Sequence, residues 1–199
     1  MPRMRGAVSS ESWLQPHLEA VLRKRCAVLS RWRDQLPTLQ GRTKNFENWV
    51  LVELVHEVLE TGFVREVRTN GHFGPKVKRR DVRGLSGSKS KAKHLSADFS
   101  VRLPSGRRLS AEIKTGLAPK ELLNDLRIVQ HYNNAGVADR AELGWVVLLP
   151  KIDKTWRSCM KTFEKTCAKV RDEFDDFLLK KTNITNWLIL CVAVPVRKR

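Results

Sequence analysis

The sequence predicts an α/β protein in which a mixed central sheet is flanked by helices, with an extra helix at the N-terminal end. Three observations favour this class. Apolar residues recur at helical spacing before residue 61 and again in the second half of the chain. A turn sequence, Pro104-Ser105-Gly106, lies between two strand-like segments. Continuous apolar runs typical of buried strands follow, so helices and strands alternate as in a sheet covered by helices.

Two helices and a strand are predicted before the middle of the chain. The first helix covers residues 16–36 and ends at Pro37, which cannot continue a helix. The second helix covers Phe46–Glu60, and a short strand is predicted at Phe63–Arg68. These elements precede a Gly-rich basic segment, which the sequence predicts to be a mobile loop.

A β-hairpin and four further elements complete the predicted order. The hairpin strands are Ala97–Leu103 and Arg107–Thr115, because Pro and Ser suit a type I turn and Gly106 readily adopts a positive φ. The other elements are a helix at Lys120–Asn133, a buried strand at Gly144–Leu149, a long helix with its apolar face at 156–177, and a final strand at Trp187–Val194. We assign residues 1–43 to a basic N-terminal helical extension and residues 44–199 to the α/β domain.

The charge of the chain is large and unevenly distributed. The 199 residues contain 38 Lys and Arg against 21 Asp and Glu, which gives +17. Residues 45–70 hold two basic and five acidic side chains (−3), whereas residues 71–94 hold eight and one (+7). The basic loop at 71–94 is either a solvated excursion or an arm that grips a polyanion, and we favour the arm because phosphates would neutralise its self-repulsion. Its basic residues are Lys76, Lys78, Arg79, Arg80, Arg83, Lys89, Lys91 and Lys93.

The composition excludes several other classes of protein. The longest apolar run, Trp187–Val196, has ten residues, about half of what a membrane-spanning helix needs. The N-terminal stretch lacks the apolar core of a secretory signal, and the four cysteines form no CxxC pair. We therefore expect reduced thiols, a cytoplasmic location and no membrane partner.

The hairpin places three charged side chains together. Glu112 and Lys114 share one face of their strand, since side chains alternate with period two. If Leu103 and Arg107 flank the turn, Asp98 lies opposite Glu112, with Cβ atoms about 4.5–5.5 Å apart. Two opposed carboxylates repel each other, so their presence predicts a compensating divalent cation with oxygen ligands. Lys114 could then orient a water or offset charge on a phosphate.

A further acid lies on the second predicted helix. Glu47 falls one turn before Leu51 on the apolar arc that continues through Leu54, Val58 and Leu59. An acid on a core-facing stripe must be paired, hydrogen-bonded or bound to metal, which places Glu47 near the site. The alternative is that Glu47 is a first-turn acid favoured by the helix dipole.

The motifs SADFSV, with Asp98, and LSAEIKTG, with Glu112 and Lys114, resemble the PD-(D/E)xK nuclease superfamily, the restriction-endonuclease-like fold. The resemblance covers roughly residues 44–150, where the order helix, strand, hairpin, helix, strand matches the family core. It implies metal-dependent phosphodiester hydrolysis, with Asp98, Glu112 and Glu47 as metal ligands or supports and Lys114 at the attacking water. It also implies a site-lining polar group on the next helix, for which Gln130 is the candidate. Ala97 departs from the family's proline.

The sequence therefore predicts a metal-dependent DNA endonuclease that uses Mg²⁺, with Mn²⁺ as a substitute ion. The expected partner is DNA, and a homodimer would supply the two active sites that cutting both strands commonly takes. The first alternative is a non-catalytic nucleic-acid-binding protein with a degenerate nuclease fold. The second is a basic protein whose partner is an acidic protein.

Overall fold

The computed structural model describes residues 11–33, 43–71, 77–85, 94–149, 153–174 and 177–195. Its helices are α1 (Leu14–Lys24), α2 (Cys26–Trp32), α3 (Thr43–Glu60), α4 (Pro119–Ala135) and α5 (Asp153–Glu173). Its strands are β1 (Glu66–Thr69), β2 (Val77–Lys78), β3 (His94–Leu95), β4 (Phe99–Arg102), β5 (Arg108–Thr115), β6 (Arg140–Leu148), β7 (Phe177–Asn183) and β8 (Leu188–Pro195). A 3-10 turn covers Arg79–Asp81.

The described strands form a mixed six-stranded sheet in the order β1-β4-β5-β6-β8-β7. β5 and β6 are parallel, and every other neighbouring pair in this sheet is antiparallel. The parallel pair is connected through α4, as expected for strands that need a crossover connection. β2 and β3 pair separately as a small antiparallel ribbon. A mixed sheet flanked by helices confirms the predicted fold class.

Helices cover both faces of the sheet. α1 lies against the face that carries Ile113 and Gly144, where a Cβ added to Gly144 would come within 2.5 Å of Leu18 Cδ1. On the opposite face, the rings of Trp145 on β6 and Phe163 on α5 are 5.1 Å apart. The described part of the predicted N-terminal extension, residues 11–33, is thus packed into the same apolar core as the sheet. No helix within the described ranges is both long enough and apolar enough to cross a membrane.

The predicted hairpin register is confirmed. Phe99 pairs with Ala111 in the β4–β5 ladder, so the same register continued by one residue sets Asp98 opposite Glu112. The N–H of Leu103 donates to the carbonyl of Arg107 at 2.9 Å, which closes the turn as expected. Gly106 has a φ of 84°, a conformation that side chains with a Cβ rarely adopt.

Several sequence predictions differ from the structure. Within the described residues, the single helix predicted at 16–36 is two helices with a break at Arg25, because Lys24 and Arg25 extend no apolar stripe and instead pair with Glu57 and Glu53 of α3. Residues 34–36 of this prediction lie outside the described residues. The long helix predicted to extend to Phe177 ends at Glu173, and Phe177 instead begins the edge strand β7. This strand was not predicted, since four of its seven residues are polar. The exposed side chains of Leu59 and Trp156 lie off the buried faces on which the helical patterns placed them.

The basic segment 71–94 is partly ordered, which differs from the predicted mobile loop. Within its described residues, the β2–β3 ribbon and the 3-10 turn are formed. The apolar side chains of Val77 and Val82 are buried and anchor this part of the segment to the core.

Candidate active site

The centre of the candidate site is a pair of carboxyl groups on the hairpin. Glu112 is only 6% exposed. A side-chain hydrogen bond joins Glu112 to Asp98, and the backbone N–H of Asp98 also donates to the Glu112 carboxyl group. The backbone N–H of Ile113 donates to Oδ2 of Asp98 at 3.0 Å. These bonds fix both acids to the backbone of the hairpin.

The pair favours a proton when no cation neutralises it. Burial raises the pKa of Glu112 well above its usual value, and the charges of Asp98 and Asp125 raise it further. The protonated Glu112 can then donate the hydrogen bond to Asp98. A divalent cation placed between the two groups would replace that proton and remove the repulsion.

Lys114 lies two residues beyond Glu112 on the same face of β5, and its ammonium meets α4. Its Nζ is 3.2 Å from Oε2 of Glu121 and 3.5 Å from Oδ2 of Asp125. Burial by itself lowers the pKa of Lys114, but the charges of Asp125, Glu47 and Glu121 outweigh it and raise the pKa above the usual value. Lys114 is therefore an ammonium ion at neutral pH.

Glu47 of α3 belongs to the same electrostatic group. Burial raises its pKa to about 7, Lys114 opposes this shift, and the charges of Asp98 and Asp125 add to it. The helix begins at Thr43 and its first turn holds no acid, so the interpretation of Glu47 as a first-turn acid is wrong. The half-buried carboxyl group instead faces the charges of the hairpin and of α4.

Asp125 of α4 is a site residue that the sequence analysis missed. Burial raises its pKa to about 6, against the opposing effect of Lys114. A signal for it exists in the sequence, because at about 3.6 residues per turn Asp125 falls between Leu122 and Tyr132 on the buried side of α4. The same argument had identified Glu47.

Gln130, the residue predicted on α4, is half-buried on a different side of the helix. It lies five residues beyond Asp125, which corresponds to about 140° around the helix axis. The structure thus brings Glu47, Asp98, Glu112 and Lys114 together and adds Asp125 from α4. A role for Gln130 in the site stays a prediction.

The basic segment is attached to the same helix. Nη1 of Arg127 on α4 donates to the carbonyl of Gly84 at 3.0 Å, and the guanidinium of Arg127 also pairs with Glu173 of α5. The described basic residues of the segment are the half-buried Lys78 and the exposed Arg79, Arg80 and Arg83. Lys76, Lys89, Lys91 and Lys93 lie outside the described residues.

The fit of a metal ion depends on how many ligands the protein must provide. Among the described residues, no three His, Cys, Asp or Glu side chains are arranged to hold an ion by themselves. The hairpin provides two carboxyl groups in contact, Asp98 and Glu112. Mg²⁺ is commonly bound through one or two carboxylates, with waters and substrate phosphates as the other ligands. The donor set therefore fits Mg²⁺ completed by a substrate, and does not form a closed protein site.

Comparisons with known proteins add little to this geometry. The chain matches no family model, and no curated protein matches it. A solved structure described as "Crystal structure of SSO0001" is similar at 15% identity over 78% of this chain and 74% of that chain, with a TM-score of 0.28. A TM-score this low carries no argument about fold or function.

Proposed function

We propose that this protein is a Mg²⁺-dependent deoxyribonuclease of the PD-(D/E)xK type. The observation that carries the proposal is the hydrogen-bonded pair Asp98–Glu112, with the ammonium of Lys114 on the same face of β5. The order helix, strand, hairpin, helix, strand at α3, β1, β4–β5, α4 and β6 supports it, because the resemblance implies that order. We also propose that the mixed sheet and its helices form a restriction-endonuclease-like core.

Each residue has a defined role in the proposed reaction. Asp98 and Glu112 would hold the metal, and Glu47 would support the metal or its water from α3. When bound, Mg²⁺ supplies an activated water and offsets negative charge on the phosphate. Lys114 contributes a fixed positive charge where charge develops on the phosphate, which is worth more in a site with little water.

The basic segment would bind the DNA backbone. Arg79, Arg80 and Arg83 are exposed, and the Arg127–Gly84 hydrogen bond ties their segment to the helix that carries Asp125. Positive side chains of this kind bind phosphates irrespective of base sequence. A net charge of +17 further favours association with a polyanion.

A cleavage assay tests the proposed activity. Purified protein is incubated with plasmid, linear and single-stranded DNA in Mg²⁺ or Mn²⁺. We expect cleavage that EDTA and Lys114→Ala each abolish, whereas Lys161→Ala, which removes an exposed lysine of α5, leaves it unchanged. Absence of metal-dependent cleavage across all these substrates would contradict the proposal.

The second candidate function is non-catalytic binding of nucleic acid. It is favoured by the finding that no group of three metal-binding side chains is arranged among the described residues. Retained DNA binding with a steep dependence on salt, no cleavage in either metal ion and no effect of Mg²⁺ on stability would establish it.

Two further parts of the proposal concern location and assembly. A cytoplasmic location is supported by the four cysteines, none of which forms a disulfide. Cys167 and Cys191 are buried, and burial raises the pKa of Cys191 to about 12, so this thiol is unreactive.

A homodimer would bring two sites to the two strands of DNA, and light scattering with bound DNA would detect it.

A further inference from the structure

Lys114 has two carboxylate partners on α4, and they differ in their surroundings. Glu121 is the nearer partner, at 3.2 Å, but its side chain is 64% exposed. Asp125 is 3.5 Å away and only 23% exposed. Solvent screens an exposed ion pair and leaves its side chains free to move. Glu121, although nearer, therefore restrains the ammonium of Lys114 less than Asp125 does.

The position of Asp125 on α4 is fixed by packing. Leu122 and Leu126, on either side of it along the helix, are buried in the core between α4 and the sheet. Pro119 begins the helix and Gly136 ends it in a left-handed conformation, so both ends are defined. A carboxyl group carried by such an element holds its partner more precisely than one on an exposed surface.

We propose that Asp125 is a positioning residue that fixes the ammonium of Lys114 over the face of β5 that also carries Glu112. This inference rests on the proposed function and adds a residue that the sequence resemblance does not include. Asp125 does not touch the substrate. It acts through Lys114, whose flexible side chain would otherwise sample several rotamers in a space lined by carboxyl groups.

Kinetics of substituted proteins test this role. The main variant is Asp125→Ala, and Asp125→Asn keeps the shape of the side chain while removing its charge. We expect kcat for DNA cleavage to fall about 10- to 100-fold in Asp125→Ala, the same order as the loss found when a group that orients a metal ligand is removed. KM should change less than the kcat, because Asp125 does not bind DNA. Asp125→Glu should retain part of the kcat that Asp125→Ala loses.

Two comparison variants define the specificity of the effect. Glu121→Gln removes the exposed partner of Lys114 and should cause a smaller loss of kcat than Asp125→Ala. Asp172→Asn alters an exposed acid of α5 and should leave kcat unchanged. An equal loss in Glu121→Gln, or an unchanged kcat in Asp125→Ala, would overturn the proposal.

A measurement without substrate separates this proposal from the proposed function. The ¹⁵Nζ NMR signal of Lys114, assigned by its loss in Lys114→Ala, is sharp while an ion pair slows proton exchange with water. It should broaden in Asp125→Ala and persist in Asp172→Asn. If the wild-type protein cleaves no DNA, the proposed function fails, yet this signal still decides whether Asp125 holds Lys114. A sharp signal in Asp125→Ala shows that it does not.

Discussion

The charges of Asp98 and Asp125 act on the carboxyl groups of both Glu47 and Glu112, and the ammonium of Lys114 interacts with Glu47 and Asp125. Burial raises the pKa of three of these acids, and their mutual repulsion adds to the shift. Such an arrangement costs stability when the acids ionise. A cation bound by these residues would remove that cost, so the proposed metal binding should be coupled to the stability of the protein.

The effect of Glu112→Gln should reveal this coupling. The amide is neutral and can still donate to Asp98, whereas the carboxyl group of the folded protein must take up a proton that the unfolded chain has lost at pH 8. Without metal we therefore expect a higher melting temperature than in the wild type, by about 2–4 °C for each kcal/mol of this cost. Mg²⁺ should stabilise the wild type and Glu164→Gln, an exposed control on α5, but not Glu112→Gln. Equal stabilisation of Glu112→Gln by Mg²⁺ would contradict the assignment of this ligand.

The pH dependence of stability should depend on Glu47. Its pKa is raised from 4.5 to about 7, so its neutral form contributes stability that is fully present below about pH 4.5 and lost as the pH rises through about 7. In EDTA, the free energy of unfolding of the wild type should therefore fall relative to Glu47→Gln across this window. The difference should be on the order of 1 kcal/mol, since solvent screens a half-buried group. Urea unfolding at several pH values measures this difference. Parallel pH profiles of stability for the two proteins would contradict the prediction.

At the scale of elements, α1 is joined to the sheet by a carboxylate from β6. Glu142 is fully buried and accepts hydrogen bonds from the N–H groups of Trp13 and Leu14 at 3.2 and 3.1 Å. Nε of Arg140 and Oγ of Ser12 each donate to it at 2.5 Å. An acid at a helix N-terminus satisfies N–H groups that lack partners within the helix. The start of α1 is thus set by a residue 128 positions away from Leu14.

The close approach of α1 to the sheet requires glycine at residue 144. A Cβ there would lie 2.5 Å from Cδ1 of Leu18 and 3.1 Å from Cδ1 of Ile113, both of which are buried. Gly144→Ala should therefore destabilise the protein by about 1–3 kcal/mol through overpacking. Gly71→Ala is the matched control, since its Cβ would meet only a carbonyl oxygen at 3.8 Å. Thermal unfolding compares the two variants. Equal melting temperatures would show that α1 shifts to accommodate the added Cβ without loss of stability.

At the scale of the whole molecule, a large positive net charge is combined with a local group of acids. The chain carries +17 overall, yet residues 45–70 contain five acidic and two basic side chains (−3). Arg127 ties the described part of the basic segment to α4, the helix that also carries Asp125. The proposed DNA-binding arginines therefore lie on a segment that is hydrogen-bonded to the helix that contacts Lys114.

The salt dependence of DNA binding should identify the residues that bind phosphates. Replacing Arg79, Arg80 and Arg83 by Ala should reduce the slope of log affinity against log salt by about 0.9 for each phosphate that the protein then leaves unneutralised. The control replaces the same number of exposed basic residues on α5, at Arg157, Lys161 and Lys165. Fluorescence anisotropy over a series of salt concentrations measures both. If the two triple variants lower the slope equally, the basic segment has no special role in binding.

The sequence was most informative where local rules apply. The turn at Pro104-Ser105-Gly106 determined the hairpin register, and alternation along the strand then placed Asp98, Glu112 and Lys114 correctly relative to one another. Asp125 was missed because it is one of several polar residues between the apolar ones of α4, and its position on the buried side becomes distinctive only when the buried face is known. β7 was missed because it pairs only with β8 at the edge of the sheet. A strand in that position needs no continuous apolar pattern.

The fold class, the hairpin and the acid on the buried side of α3 follow from turn chemistry and apolar periodicity, which are properties of neighbouring residues. Which distant groups meet depends on the three-dimensional packing. The partners of Lys114 lie on the next helix, Glu142 sets the start of α1, and Arg127 ties the basic segment to α4. These contacts depend on how helices pack on the sheet, and the spacing of residues along the chain does not encode that packing.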